Sequence, residues 1–320
     1  MPEHQPDAST AGRARTPPAP GMRWIPGGEF LMGSADFYPE EAPVRRVAVD
    51  GLWADETPVT VAAFAAFVED TGHVTDAEVA PDAAEYPGAD PDLLVPGSLV
   101  FRGSEGPVDL RDVRNWWAWT PGATWRSPEG PGSTVAGRED HPVTQVSYRD
   151  AEAYAAWAGK ALPTEAEWER AARGGLESAV FAWGDEFRPG GRHMANTWQG
   201  RFPYENLAED GHTGTSPVGS YPPNGFGLAD VTGNVWEWTT DFFALPDRTA
   251  RPCCVPRNPR VTDEAASVLP GETYPRRVIK GGSHLCAPSY CLRYRPAARQ
   301  SESVESATSH LGFRCVVRAA

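Results

Sequence analysis

Apolar and polar residues change rhythm several times along the 320 residues, and each change marks an element. From Met22, the run MRWIPGGEFLMGS alternates around a Pro-Gly-Gly turn, which predicts a β-hairpin or two short strands. Arg45–Val49 reads as another strand. Thr60 then caps a helix in which Val61, Phe64, Phe67 and Val68 recur at helical spacing, and Gly72 ends it. No period is sustained from Asp76 to Pro142, which predicts a long ordered coil anchored by Trp116, Trp117, Trp119 and Trp125. Two better helices follow. Ser147-Tyr-Arg-Asp150 opens one, with Tyr154, Trp157 and Ala158 on one face before Gly159. Thr164-Glu-Ala-Glu167 is a cleaner capping box for the next, which should stop at Gly174-Gly175. Near the C-terminus a strand-like run, Arg277–Lys280, breaks at Gly281-Gly282, and a second run covers Phe313–Val317. There is no tandem repeat. Residues 1–20 are Pro/Ala-rich and unpatterned and are expected to be a disordered tail, leaving one domain over 21–320.

Composition sharpens this picture. Gly and Pro at 32 each, with 12 Trp, indicate a turn-rich body pinned by large aromatics, a mixed α/β domain low in regular secondary structure. A net charge of −14 argues against a nucleic-acid or anionic-membrane partner and suits bound divalent cations. No apolar run is long enough to span a bilayer, and the N-terminus lacks the apolar core of a secretory signal. Five cysteines in a chain read as cytoplasmic are then expected to be free, metal-binding or catalytic.

Two kinds of residue cluster could carry chemistry. In Asn196–His212 and Asn224–Asp241, carboxylates and amides mix with kinked backbone, the ligand set hard Ca²⁺ prefers. Asx residues beside Gly also simply make turns, and neither segment matches an EF-hand loop, so spacing alone favours turns. The second cluster is the thiols. Cys253 and Cys254 lie between prolines and have no assigned role, and Cys315 sits in a strand-like run as a small hydrophobe would. Cys286 and Cys291 differ, being in irregular backbone with Ser283, His284, Tyr290, Arg293 and Arg295 nearby. A structural disulfide, a zinc site, a redox dithiol and a Cu(I) site all compete for this pair. The missing second ligand pair weakens zinc, and nearby guanidinium groups favour thiolates, which leaves redox or soft-metal work.

With those residues in view, the chain resembles the formylglycine-generating enzymes, or sulfatase-modifying factors. The similarity runs from about Met22 to the C-terminus through WIPGGEFLMGS, DAEAYAAWAGKALPTEAEWERAARGG, NTWQGRFPYENLAEDG, PPNGFGLADVTGNVWEWTTD, KGGSHLCAPSYCLRYRPAAR and SHLGFRC. The resemblance implies a compact, loop-rich fold related to C-type lectins. It implies oxidation by O₂ of the cysteine in a Cys-x-Pro-x-Arg motif of an unfolded sulfatase to Cα-formylglycine, by a monomer. Cys286 and Cys291 would hold Cu(I) as a near-linear pair, with the substrate thiolate as third ligand. Hydrogen would then leave the substrate Cβ, and the resulting thioaldehyde would hydrolyse. Ser283 and Trp236 would line a small oxygen pocket, and Tyr290 would hydrogen-bond within it. An older family scheme cycles the same pair through a disulfide without copper. The resemblance also turns the acidic segments into two structural Ca²⁺ sites: Asn196 and Asp210 with the carbonyls of Thr197 and His212, and Asp230 and Glu237 with the carbonyls of Gly233 and Val235.

Departures from the family pattern bear on compartment. Ala155, Ala156, Pro296 and the Ala171-Ala172 pair stand where secreted relatives carry bridging cysteines, which leaves Cys315 without such a partner and supports a reducing setting. Cys254-Val-Pro256-Arg257 puts Arg one residue early for a substrate motif, so self-modification is not expected. Two rival readings remain: a non-catalytic relative that binds sulfatases or another protein, and an iron-dependent sulfoxide synthase. The latter needs a His-rich helical domain, and the first 140 residues hold only His4 and His73.

Overall fold

A computed structural model describes residues 16–84, 86, 88–245, 254–269 and 274–319. Most of the expected tail, residues 1–15, and Cys253 lie outside the described residues; residues 16–20 form an irregular lead into the first strand.

The Pro-Gly-Gly step does not fold a hairpin. Strand β1 (Met22–Ile25) pairs antiparallel with β4 (Leu52–Asp55), and β2 (Gly28–Met32) pairs with β3 (Arg45–Val49). Ile25 faces Leu52 and Gly28 faces Val49, so one antiparallel register passes through both ribbons. It is interrupted where Pro26-Gly27 crosses Asp50-Gly51. A Cβ on Gly27 would stand 2.6 Å from the Gly51 nitrogen, so the backbones pass too closely for a side chain. The real turn is the long tip, residues 33–44.

Local signals are accurate for the helices. Thr60 Oγ1 accepts the Ala63 N–H at 3.2 Å to start α1 (Val61–Thr71), and Gly72 ends it at φ 69°. Ser147 with Asp150, and Thr164 with Glu167, make reciprocal capping boxes for α2 (Tyr148–Trp157) and α3 (Glu165–Ala172). Phe64 from α1, Tyr154 from α2, Trp125 and Phe313 meet edge-on or stacked at ring separations of 5.2 to 6.5 Å in the main core.

Asp76–Pro142, expected to be coil, contains a ribbon: β5 (Gly97–Phe101) antiparallel to β6 (Trp117–Pro121). The largest sheet was legible only in part. Its order is β10 (Leu311–Gly312), β7 (Trp236–Phe242), β8 (Arg276–Lys280), β9 (Arg299–Ser303). The expected Phe313–Val317 strand is a sheet switch instead. The Phe313 carbonyl accepts the Val59 N–H, that of Cys315 accepts the Asp55 N–H, and β11 (Val316–Arg318) then joins β4. The first and last strands, β1 and β11, therefore share one sheet with β4 between them.

Carboxylates of α3 bind this sheet through buried charge. Lys280 Nζ lies 3.0 Å from Glu169 and 3.7 Å from Glu165, Glu165 pairs with Arg299 at 2.7 Å, and Glu169 pairs with Arg173 at 2.7 Å. Alternating signs let each buried ion neutralise its neighbours.

Candidate active site

Backbone geometry builds the thiol loop first. Gly281 and Gly282 hold φ of +94° and +69°. A Cβ on Gly282 would come within 2.8 Å of the Arg293 carbonyl and the Tyr294 nitrogen, so only glycine lets the returning chain lie against this corner. The loop then tightens: Ser283 O accepts from Cys286 N at 2.9 Å, and Ala287 O accepts from Tyr290 N at 3.1 Å and from Cys291 N at 2.8 Å. That double turn brings the two sulfurs to 3.0 Å, both buried.

Residues from the tip of the first ribbon grip the far side of the loop. Tyr38 Oη accepts the Leu292 N–H at 3.0 Å, Glu40 pairs with Arg293 at 2.8 Å, and Glu41 holds Arg295 through two bonds at 2.5 and 2.9 Å. The Arg293 guanidinium lies over the Tyr38 ring at 3.9 Å, and its Nη1 stands 4.0 Å from the Cys291 sulfur. Nothing local to the thiol loop announces Tyr38 or Glu40.

The two thiols are electrostatically unlike. The hydrogen bond from Cys286, aided by Arg293 and opposed by burial, lowers Cys291 to about 7. Burial, with Cys291 alongside, pushes Cys286 well above the usual thiol range. A single proton held between two sulfurs accounts for both shifts.

The other expected residues gather around this pair. The Ser283 N–H points at the Cys286 sulfur at 3.4 Å, and its Oγ accepts the Leu285 N–H at 3.2 Å. Trp236 shares the core cluster of Cys286 and Cys291, against which Tyr290 packs. The Tyr290 ring lies flat on Phe202, with centroids 4.4 Å apart and planes 2° apart, and meets Trp116 edge-on at 5.3 Å. His284 is buried and His310 half-buried, and desolvation pushes them down to about 4 and about 3.

Among the described residues no group of three or more His, Cys, Asp or Glu could hold a metal. The thiol pair is thus a two-sulfur donor set, of the kind that suits a soft ion of low coordination.

The acidic segments divide. Around Asn196, Asp210 accepts the His212 N–H at 3.1 Å and the Tyr221 hydroxyl at 2.6 Å, the Thr197 carbonyl accepts from Gln199 Nε2 at 3.2 Å, and Asn196 Nδ2 donates to Gly214 O at 2.9 Å. In the second segment Asp230 and Asn234 have positive φ, 52° and 57°, and a Cβ on Gly233 would meet the Asn196 carbonyl at 2.4 Å, so the two segments are in contact. Val235 is buried just before β7. Asp230 Oδ2 accepts the Gly219 N–H, while Oδ1 is buried with no hydrogen-bond partner, and burial raises this carboxyl to about 6. Glu237 is differently placed: Arg314 reaches both its oxygens at 2.7 Å, and Trp168 Nε1 donates to Oε2 at 2.7 Å. Asp230 therefore offers the open oxygen of this set, and Glu237 already has a cation. The sequence reading missed Arg314 as that partner.

Comparison with known proteins fits this geometry. The FGE-sulfatase family, described as "Sulfatase-modifying factor enzyme 1-like domain", matches residues 7–319. The formylglycine-generating enzyme of Mycobacterium tuberculosis is 56% identical over 296 residues, 91% of this chain and 96% of that protein. Its counterpart in Streptomyces coelicolor is 48% identical over 299 residues, 92% of this chain and 88% of that protein. Among solved structures, PvdO from Pseudomonas aeruginosa has the same fold at a TM-score of 0.63 and 24% identity, covering 93% of this chain and 94% of its own.

Proposed function

The chain belongs to the sulfatase-modifying factor family, and on that premise we propose that it makes formylglycine at the Cys286–Cys291 pair. It is an oxidase acting on a cysteine of a sulfatase, the activity of relatives that share about half its residues across nine-tenths of its length. One observation carries the placement: two buried thiols 3.0 Å apart, in a loop whose shape depends on Gly281-Gly282 and on the first ribbon's tip.

Cys286 and Cys291 would hold Cu(I), which when bound supplies a thiophilic centre where a substrate thiol and O₂ can meet. The protein's own groups do the rest. Arg293 and the Ser283 N–H favour the thiolate form of the pair. In the metal-free pair Cys286 is the thiol that holds the proton, and it would release that proton on taking the metal. Trp236 shares the core cluster of the pair, and Tyr290, stacked on Phe202 and edge-on to Trp116, packs against that cluster, so bulk water is kept from the sulfurs. Calcium, in this reading, binds at Asp230 Oδ1 and around Asn196 and Asp210, pinning coil that has few regular hydrogen bonds. The unbridged thiols Cys286, Cys291 and Cys315 suit a reducing, cytoplasmic setting.

The test is mass spectrometry of a Cys-x-Pro-x-Arg peptide after incubation with copper-loaded enzyme and O₂. Formylglycine should appear with the wild type and not with Cys286→Ser or Cys291→Ser, both retaining native circular dichroism. Product at the wild-type rate from either variant would sink the assignment. Metal analysis of Cu(I)-treated wild type against the double variant separates copper binding from disulfide cycling of the same thiols.

A further inference from the structure

The tip of the first ribbon treats the two arginines of the thiol loop differently. The Tyr38 carbonyl accepts the Glu41 N–H at 3.0 Å, closing a tight turn from which Glu40 reaches Arg293 and Glu41 reaches Arg295. Arg295 is fully engaged. Its two terminal nitrogens meet both oxygens of Glu41, and Nε donates to the Leu292 carbonyl at 2.7 Å. The side chains of that pair are 1% and 0% exposed, so it serves as a buried anchor for the loop.

Arg293 is held on one side. Nη2 donates to one Glu40 oxygen at 2.8 Å, Nη1 stands 4.0 Å from the Cys291 sulfur, and Nε is buried without a hydrogen-bond partner. The Tyr38 ring lies 3.9 Å from the guanidinium carbon, but a ring face attracts a cation without fixing how it turns in its own plane. Direction must therefore come from Glu40, the carboxylate in ion-pair contact with Arg293 among the described residues. Glu40 is itself fixed, because its carbonyl accepts from Arg299 Nη1 at 3.4 Å. The side chains of the Glu40–Arg293 pair are 21% and 19% exposed, so its contribution to folding is small. What the pair sets is where the charge of Arg293 sits. A substrate thiolate arriving at two buried sulfurs brings negative charge, and a cation already held beside one of them offsets it without reorganisation.

We propose that Glu40 is a positioning residue for the oxidation, holding one arm of Arg293 so that the other faces Cys291, a reading that rests on formylglycine formation at the thiol pair. Glu40 acts through the arginine and not on the substrate.

Steady-state oxidation of a Cys-x-Pro-x-Arg peptide tests this. Glu40→Ala should lower kcat about tenfold and leave KM within about twofold. Glu40→Gln, which still offers an oxygen to Nη2, should keep kcat within about threefold. In an Arg293→Gln background, Glu40→Ala should cost less than about twofold more, since the contact it removes is already gone. Urea titration should find the midpoint of Glu40→Ala near that of the wild type and the midpoint of Glu41→Ala well below it. A readout without metal or turnover is heteronuclear NMR of the arginine side chains. The Arg293 Nε–H signal, identified by its loss in Arg293→Gln, should shift or broaden in Glu40→Ala and persist in Glu40→Gln. Additive losses in the double variant, equal losses in Glu40→Ala and Glu40→Gln, a midpoint for Glu40→Ala as low as that of Glu41→Ala, or an unmoved Arg293 signal would each overturn the positioning role and leave the oxidase intact. Failure of the wild type to oxidise the peptide would overturn the oxidase reading and any part of Glu40 in it.

Discussion

Cys286 and Cys291 share one sulfur-to-sulfur hydrogen bond at 3.0 Å, and among the described residues only Cys291 has a guanidinium within reach of its sulfur, that of Arg293 at 4.0 Å. The asymmetry has a direct chemical readout. Alkylation by iodoacetamide should fall first on Cys291 and rise with pH through about 7, while Cys286 stays protonated well above that. Arg293→Gln should shift the Cys291 midpoint upward. Peptide mapping that finds Cys286 alkylated first would contradict the assignment.

Tyr290 is held by its ring. Because the flat stack on Phe202 at 4.4 Å needs only the aromatic face, Tyr290→Phe should keep kcat/KM within about threefold. Tyr290→Ala should lose about tenfold or more, since it opens the wall beside Cys291. Equal losses in the two variants would instead assign the effect to the hydroxyl.

Calcium binding at Asp230, as proposed, would be coupled to pH. Its carboxyl titrates near 6 in the fold against about 4 unfolded, so ionisation opposes folding above pH 6, by up to about 3 kcal/mol. That cost fades as pH falls from about 6 to about 4, where the folded form holds the proton. In chelator at pH 8, Asp230→Asn should therefore melt higher than the wild type, with the gap about halved at pH 5 and closed near pH 4. Added Ca²⁺ should raise the wild-type Tm more than that of Asp230→Asn. Calcium-independent melting of the wild type would rule out this ligand.

Lys280 is fully buried between two carboxylates of α3, Glu165 and Glu169. Lys280→Met would leave both carboxylates with one cation fewer, and a cost of about 3–5 kcal/mol is expected. Urea titration should show it as a lower midpoint with an unchanged slope. A variant as stable as the wild type would mean that Arg173 and Arg299 suffice.

The parts legible in the sequence were those whose physics is local. A cap such as Thr164 accepts an N–H three residues on, so Thr-Glu-Ala-Glu needs no knowledge of the rest of the chain. Gly281-Gly282 likewise announces backbone that other residues avoid. Pro26-Gly27-Gly28 left a hairpin and two short strands both open for the same reason: a bend is visible there, but whether β1 turns back on β2 or both pair elsewhere, as they do, is decided by residues 45–55. Strands β5 and β6 escaped notice because residues 102–116 separate them and each is only five residues long. At the site, the thiols, Ser283 and Tyr290 lie within nine residues of one another and could be read together. Tyr38 and Glu40 could not, because their partners are about 250 residues away. Glu237 has a partner of the same hidden kind, its ion pair with Arg314 on another segment leaving no trace in the local spacing.

The grip of residues 38–41 on the thiol loop has a consequence for the order of assembly. The hydrogen bond from Leu292 to Tyr38 and the ion pair of Glu41 with Arg295 each span 254 positions, close to the longest separations the chain permits. Contacts of that separation form late, after shorter loops have closed. During synthesis the first ribbon therefore waits, its acidic tip without partners, until nearly the whole polypeptide has left the ribosome. The thiol loop can be gripped only once Arg293 and Arg295 have emerged, so a chain stopped just after Cys291 would carry both cysteines without the contacts that hold their loop.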